Sequence, residues 1–257
     1  MDFEIKRKNG LYSIIAYLII FNLLAYFVYA IVDSVFKGLN IDLTIKENAY
    51  IATSIVNLLI YAILIVALLL ISHKELLGEV KTFFKDKKDN IFFKIIAAYG
   101  IFYAINLFFN VVIQNIEINA NLTNIILGNQ TSITSTADNQ NIIEKILHSN
   151  GFIFMFLSAG ILGPICEELV FRKALFNVCK TKEMGILLSS LCFGLIHITS
   201  SLGQYDLLSM ILMTIPYIAS GIAFGIIYIK NDCNIVVPTI VHMLSNIISM
   251  VGILMLA

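Results

Sequence analysis

"GPICEELVFRKALF", residues 163–176, is the stretch on which the reading of this chain turns. It places Glu167, Glu168 and Arg172 inside an apolar run that begins with "FIFMFLSAGIL" at residues 152–162. An ionised side chain near the centre of a bilayer costs about 2.5–3.5 kcal/mol on insertion scales. Two adjacent glutamates there must face protein or trapped water rather than lipid. Glu168 and Arg172 are four residues apart, so they share a helix face and can pair. Glu167 points about 100° away from Glu168 on the same helix, which leaves it as the spare carboxylate.

The surrounding composition makes the membrane reading general. The chain of 257 residues is 59% hydrophobic and 13% charged, and its mean hydropathy is +0.89. A helical span needs about 20 apolar residues. Seven segments qualify: 11–36, 49–72, 92–116, 151–180, 184–200, 207–229 and 234–256. A segment in lipid must satisfy its own backbone hydrogen bonds, so each is expected to be a helix. The expected fold is all-α: a polytopic membrane helix bundle of about seven transmembrane helices. The first apolar run is too long for the core of a signal peptide and has no small-residue cleavage site after it, so it reads as a retained span. A net charge of zero offers nothing to nucleic acid. The expected surroundings are the lipid bilayer and a peptide or protein substrate.

Lysine placement sets an orientation. "KRK" at residues 6–8, the connection "HKELLGEVKTFFKDKKDN" at 73–90, residues 172–182 and Lys230 all fall on one side if the N-terminus is cytoplasmic. Lys-, Asn- and Ile-rich usage and short loops fit a bacterial cell membrane. Three regions follow: three spans over 1–116, a polar and flexible outer loop over 117–150, and four spans over 151–257. Asn22, Asn57 and Asn106 are the main polar marks of the first region, and hydrogen bonding between helices is the simplest use for them. Cys166, Cys179, Cys192 and Cys233 show no CxxC spacing and read as buried thiols.

The remaining polar chemistry converges in residues 151–257. If the fourth and fifth spans form a hairpin turning at 182–183, Glu168 is level with His197, and Glu167 serves as well within a turn. Gly194, three residues before His197, would let another helix approach. In "VPTIVHMLSNII", His242 and Asn246 are four apart on one face. Gly221 and Gly225 form a GxxxG level with His242 and are expected to draw its helix inward. A buried carboxylate beside an imidazole can hold and deprotonate water, and a second histidine with an asparagine can receive an oxyanion. The same groups admit zinc, with His197, His242 and Glu167 as ligands, although HExxH is absent. Ser158 and Ser245 lie near, but neither stands in a nucleophile-elbow context.

"EELVFR", "FGLIH" and "HMLSN" match EExxxR, FxxxH and HxxxN in order, each inside an expected span. Over residues 150–250 the chain resembles the CPBP intramembrane proteases, the Abi-like group that holds CaaX prenyl endopeptidases and bacteriocin-processing or immunity proteins. The resemblance implies that Glu167 activates water and that His197 positions it. It implies a supporting ion pair between Glu168 and Arg172, and an oxyanion hole made of His242 and Asn246. One free carboxylate and a histidine–asparagine oxyanion pair favour metal-free chemistry over zinc. Two other functions compete with peptide-bond hydrolysis: a non-enzymatic immunity or scaffold protein that binds a peptide toxin or partner, and a proton-coupled transporter using the buried Glu and His. The absence of an inverted repeat weighs against the transporter.

Overall fold

The computed structural model describes residues 3–85, 90–127, 129 and 132–255. Lys87 and Lys88 of the lysine-rich connection, and Gln130 and Thr131 of the polar segment, lie outside the described residues. Every regular element among the described residues is a helix. In chain order they are α1 (Phe3–Ile19), α2 (Ala25–Gly38), α3 (Lys46–Lys85), α4 (Ile91–Ile126), α5 (Asp138–Leu147) and α6 (Phe152–Leu157). After these come α7 (Gly163–Glu168), α8 (Leu175–Val178), α9 (Lys182–His197), α10 (Leu207–Lys230) and α11 (Val236–Met255). Short π-helical segments at Ile20–Leu24, Ser158–Leu162 and Leu169–Ala174 join α1 to α2, α6 to α7 and α7 to α8.

Six continuous stretches of the described residues are long and apolar enough to cross a bilayer: Glu4–Gly38, Lys46–Lys85, Ile91–Ile126, Phe152–Val178, Leu207–Lys230 and Val236–Met255. They match six of the seven expected spans. The seventh, expected over 184–200, is α9, and it ends at His197 after 16 residues. At 1.5 Å per residue it reaches about 24 Å, short of a hydrocarbon core of about 30 Å. A helix can end at depth when protein surrounds the freed backbone, and here a turn of 3₁₀ helix, Thr199–Ser201, follows. Outward side chains such as Tyr26, Leu70, Phe108 and Ile125 are exposed, as lipid-facing positions should be.

The glycines pack a different pair of helices from the one expected. A Cβ on Gly221 would lie 2.7 Å from Cα of Ser190, and one on Gly225 would lie 3.2 Å from Ile186, both on α9. A Cβ on Gly194 would strike Ile218 of α10 at 2.5 Å. The three glycines therefore close α9 against α10, and GxxxG does not draw in the His242 helix. That helix meets α10 through Phe224, whose ring stacks on His242 at 4.4 Å.

Residues 117–150 are more structured than a flexible polar loop. α4 continues to Ile126, and α5 buries Ile146 and Leu147 beside Met155 and Met250. Asn121 accepts from the Ile133 N–H and donates to the Ile133 carbonyl. The Ser209 hydroxyl accepts from Thr134 N, and the Ser201 hydroxyl accepts from Asp138 N. The Asn- and Thr-rich composition hid this, because those side chains serve the backbone here instead of solvent. In the first region, Asn22 bonds its own helix at the Leu18 carbonyl. Asn106 does bridge helices, accepting from Ser220 of α10 at 2.8 Å.

Candidate active site

α7 carries both glutamates between two π-helical segments. A π turn holds an extra residue, so the side chains beyond it are rotated relative to a regular helix. In the first segment, Gly163 N–H bonds Ser158 O, a five-residue step. The next such step would run from residue 164 to Ala159 O, but Pro164 has no N–H. Asn246 Nδ2 takes that place, donating to Ala159 O at 2.9 Å. One of the two amide hydrogens of Asn246 therefore holds α11 against the π turn, and the other remains for a ligand.

The two histidines are fixed in the same way. His197 Nδ1 is 2.7 Å from Phe193 O, and a carbonyl can only accept, so Nδ1 carries the proton. His242 Nδ1 is 2.9 Å from Glu168 Oε1. Each ring thus turns Nε2 towards one atom, Glu167 Oε2, at 3.9 Å from His197 and 3.7 Å from His242. Rings lock the orientations. Tyr217 stacks on His197 at 4.4 Å and 19°, and Phe224 stacks on His242 at 25°. Both histidines therefore meet at Glu167.

Glu168 and Arg172 are both fully buried, with Nε 3.2 Å from Oε2. The contact is ionic without hydrogen-bond alignment, since the three guanidinium nitrogens and that oxygen have no hydrogen-bond partner. The guanidinium carbon lies 5.0 Å from the centre of the Phe193 ring and 5.3 Å from that of Phe224. Cation–π attraction on both rings offsets part of the desolvation cost. Glu168 therefore ties Arg172 to His242, while Glu167 faces a cavity of about 360 Å³.

All six expected residues meet here: Glu167, Glu168, Arg172, His197, His242 and Asn246. Several participants escaped sequence reasoning. The Tyr61 hydroxyl of α3 stands 3.5 Å from Glu167 Oε1, and it fits because a Cβ at Gly163 would press on its ring at 3.3 Å. Tyr217 OH donates to Asn139 of α5 at 3.2 Å. No spacing rule links Tyr61 or Asn139 to the motifs. Phe193 was visible, since FxxxH puts its carbonyl one turn before His197. Ser158 and Ser245 spend their hydroxyls on the carbonyls of Met155 and His242.

Tetrahedral zinc would draw its ligand atoms to about 3.3 Å of one another, and the two His–Glu167 separations are 3.9 and 3.7 Å. Among the described residues, no three His, Cys, Asp or Glu side chains are grouped to hold a metal ion.

Residues 149–248 match the family model described as type II CAAX prenyl endopeptidase Rce1-like. Over these residues the chain is similar to that family. The match runs from α6 into α11 and contains Glu167, Glu168, Arg172, His197, His242 and Asn246. An uncharacterized protein of Mycoplasma capricolum subsp. capricolum is 27% identical over 211 residues, 80% of this chain and 57% of that protein. YdiL of Bacillus subtilis, named as a candidate membrane peptidase, is 33% identical over 95 residues, 36% of this chain and 34% of that protein. The chain therefore spans little more than half of the first relative and about a third of the second. No solved structure matches the chain.

Proposed function

We propose that this integral membrane protein is an endopeptidase that hydrolyses a peptide bond of a membrane-associated or lipidated substrate with water activated by Glu167. The observation that carries the reading is the convergence of two imidazole Nε2 atoms on one carboxylate oxygen, each imidazole being held through Nδ1. Separations of 3.7 and 3.9 Å are too long for direct hydrogen bonds and suit a bridging water.

In the proposed reaction, Glu167 takes a proton from water as the water oxygen bonds to the scissile carbonyl carbon. His197 orients that water. The carbonyl electron pair moves to oxygen, where His242 Nε2–H and the free amide hydrogen of Asn246 receive it. Glu168 offsets the charge of the His242 imidazolium through Nδ1. The intermediate collapses, the C–N bond breaks, and the Glu167 proton goes to the leaving nitrogen. Around the site, Tyr17, Phe21, Phe102 and Met250 offer an apolar wall for the substrate's side chains or lipid. We place the N-terminus in the cytoplasm of a bacterial cell on the lysine distribution. A bacteriocin precursor or a lipidated protein fits such a site.

The test is a survey of peptide termini in cells carrying wild type, Glu167→Gln, His197→Ala or no protein. A positioned general base contributes about 10²–10⁴-fold, so termini made by wild type should vanish in both variants. Unchanged termini, with the variants present in the membrane, would overturn the reading. Loss of cleavage on chelation and its return with zinc would replace the metal-free step with a metal-dependent one.

A further inference from the structure

We propose that a second cavity, at the lysine-rich end of the bundle, binds a phosphate-bearing anion. The cavity is about 690 Å³ and shares no lining residue with the one at Glu167. It opens where α1, α4 and α11 begin and where α3, α8 and α10 end.

Its floor is an ion-pair cluster that consumes its own acids. Lys173 is buried and pairs with Glu75 at 3.2 Å and with Glu79. Glu75 also accepts from Asn9 Nδ2 at 2.9 Å. The second oxygen of Glu79 accepts from Ile235 N at 3.0 Å, at the start of α11. Both carboxylates are therefore committed to holding α1, α3 and α11 together.

The rim is left cationic. Lys6, Lys74 and Lys230 line the cavity, are exposed, and have no carboxylate partner among the described residues. Among the described lining residues, with Lys94 set aside, Lys6, Lys74, Lys173 and Lys230 stand against Glu75, Glu79 and Asp232, a local charge of +1. Phe83 and Val237 are buried and back the cavity beneath that rim. Exposed ammonium groups lining one cavity at a helix-end boundary suit a phosphodiester headgroup. A soluble phosphate ester presents the same charge without acyl chains.

The experiment is native mass spectrometry of the full chain in detergent, titrated with phosphatidylglycerol, phosphatidylcholine or glycerol phosphate. Wild type should retain phosphatidylglycerol over phosphatidylcholine. At about five-fold per lysine near a membrane surface, the triple variant Lys6→Gln, Lys74→Gln, Lys230→Gln should weaken retention about 100-fold. The corresponding Lys→Arg triple variant should keep it, and an unchanged unfolding midpoint would show that the Gln variant is folded. Competition by glycerol phosphate at equal concentration would assign the site to a soluble phosphate ester, and failure to compete would assign it to lipid. Equal retention of phosphatidylglycerol and glycerol phosphate by wild type and the Gln variant, or binding of neither by wild type, would overturn the proposal.

Discussion

Tyr217 lies flat on His197, with ring centres 4.4 Å apart, and its hydroxyl donates to Asn139 of α5. One side chain thus holds the ring that faces Glu167 and also ties down a helix from outside the CPBP match. The two tasks can be separated by substitution. Tyr217→Phe should keep the stack and lose the tie to α5, changing KM more than kcat. Tyr217→Ala should free the His197 ring and lower kcat by about 10-fold or more, since loosened positioning is costly. Steady-state kinetics on a fluorogenic peptide would check the split.

In the proposed reaction Asn246 has two duties, so its variants should show two effects. Asn246→Ala removes the hydrogen bond to Ala159 O and leaves a carbonyl that Pro164 cannot satisfy. Loss of an oxyanion donor costs about 10²–10³-fold in kcat. Ala159 is half-buried at the cavity wall, so its unsatisfied carbonyl costs about 1 kcal/mol in addition. Thermal unfolding in detergent alongside activity would resolve both. The double variant Asn246→Ala, Pro164→Ala should recover stability without activity, because replacing the proline supplies a backbone N–H to Ala159 O.

The Glu168–Arg172 pair is expected to break asymmetrically. Removing one partner of a buried pair costs about 3–5 kcal/mol, because the other charge is left uncompensated. Arg172→Met should therefore destabilise strongly and also disturb His242, which shares Glu168. Replacing both, as Glu168→Gln with Arg172→Met, should restore much of the stability but not the activity. Chemical denaturation of the two variants would decide, and equal loss in both would contradict the pairing.

Asp206 caps α10 outside the apolar span, and its pKa is held below the usual aspartate value chiefly by the Ser209 hydroxyl and also by the Ser209 N–H. A depressed carboxylate contributes stability above its unfolded pKa and loses it as pH falls through the folded one. The loss should therefore appear on the acid side of the ordinary aspartate range. Asp206→Ala should cost about 1 kcal/mol near neutrality, and Asp206→Asn should keep the cap while flattening the acid limb. Melting temperatures between pH 3 and 7 would check both.

Much of the site was legible from the chain because a helix fixes contacts four residues apart. Glu168–Arg172 and Phe193–His197 are such pairs, and both are present. Hydropathy marked the long helices for an equally local reason, since lipid demands apolar length. α9 ends at His197, before the expected 200, where a 3₁₀ turn at Thr199–Ser201 takes over. α5 was missed because its apolar side is only a few residues wide.

The order of spans and the spare carboxylate were determined by sequence, through helical periodicity and the cost of charge in lipid. Tertiary structure alone decided that Glu168 meets His242, that both Nε2 atoms face Glu167, and that Tyr61 and Tyr217 join them. These contacts depend on where each helix is anchored and how far it is turned. The π segments on either side of α7 reset its rotation, and Glu79 sets the start of α11. A period of 3.6 residues specifies which side chains share a face, but the direction of that face is specified by the neighbours it packs against.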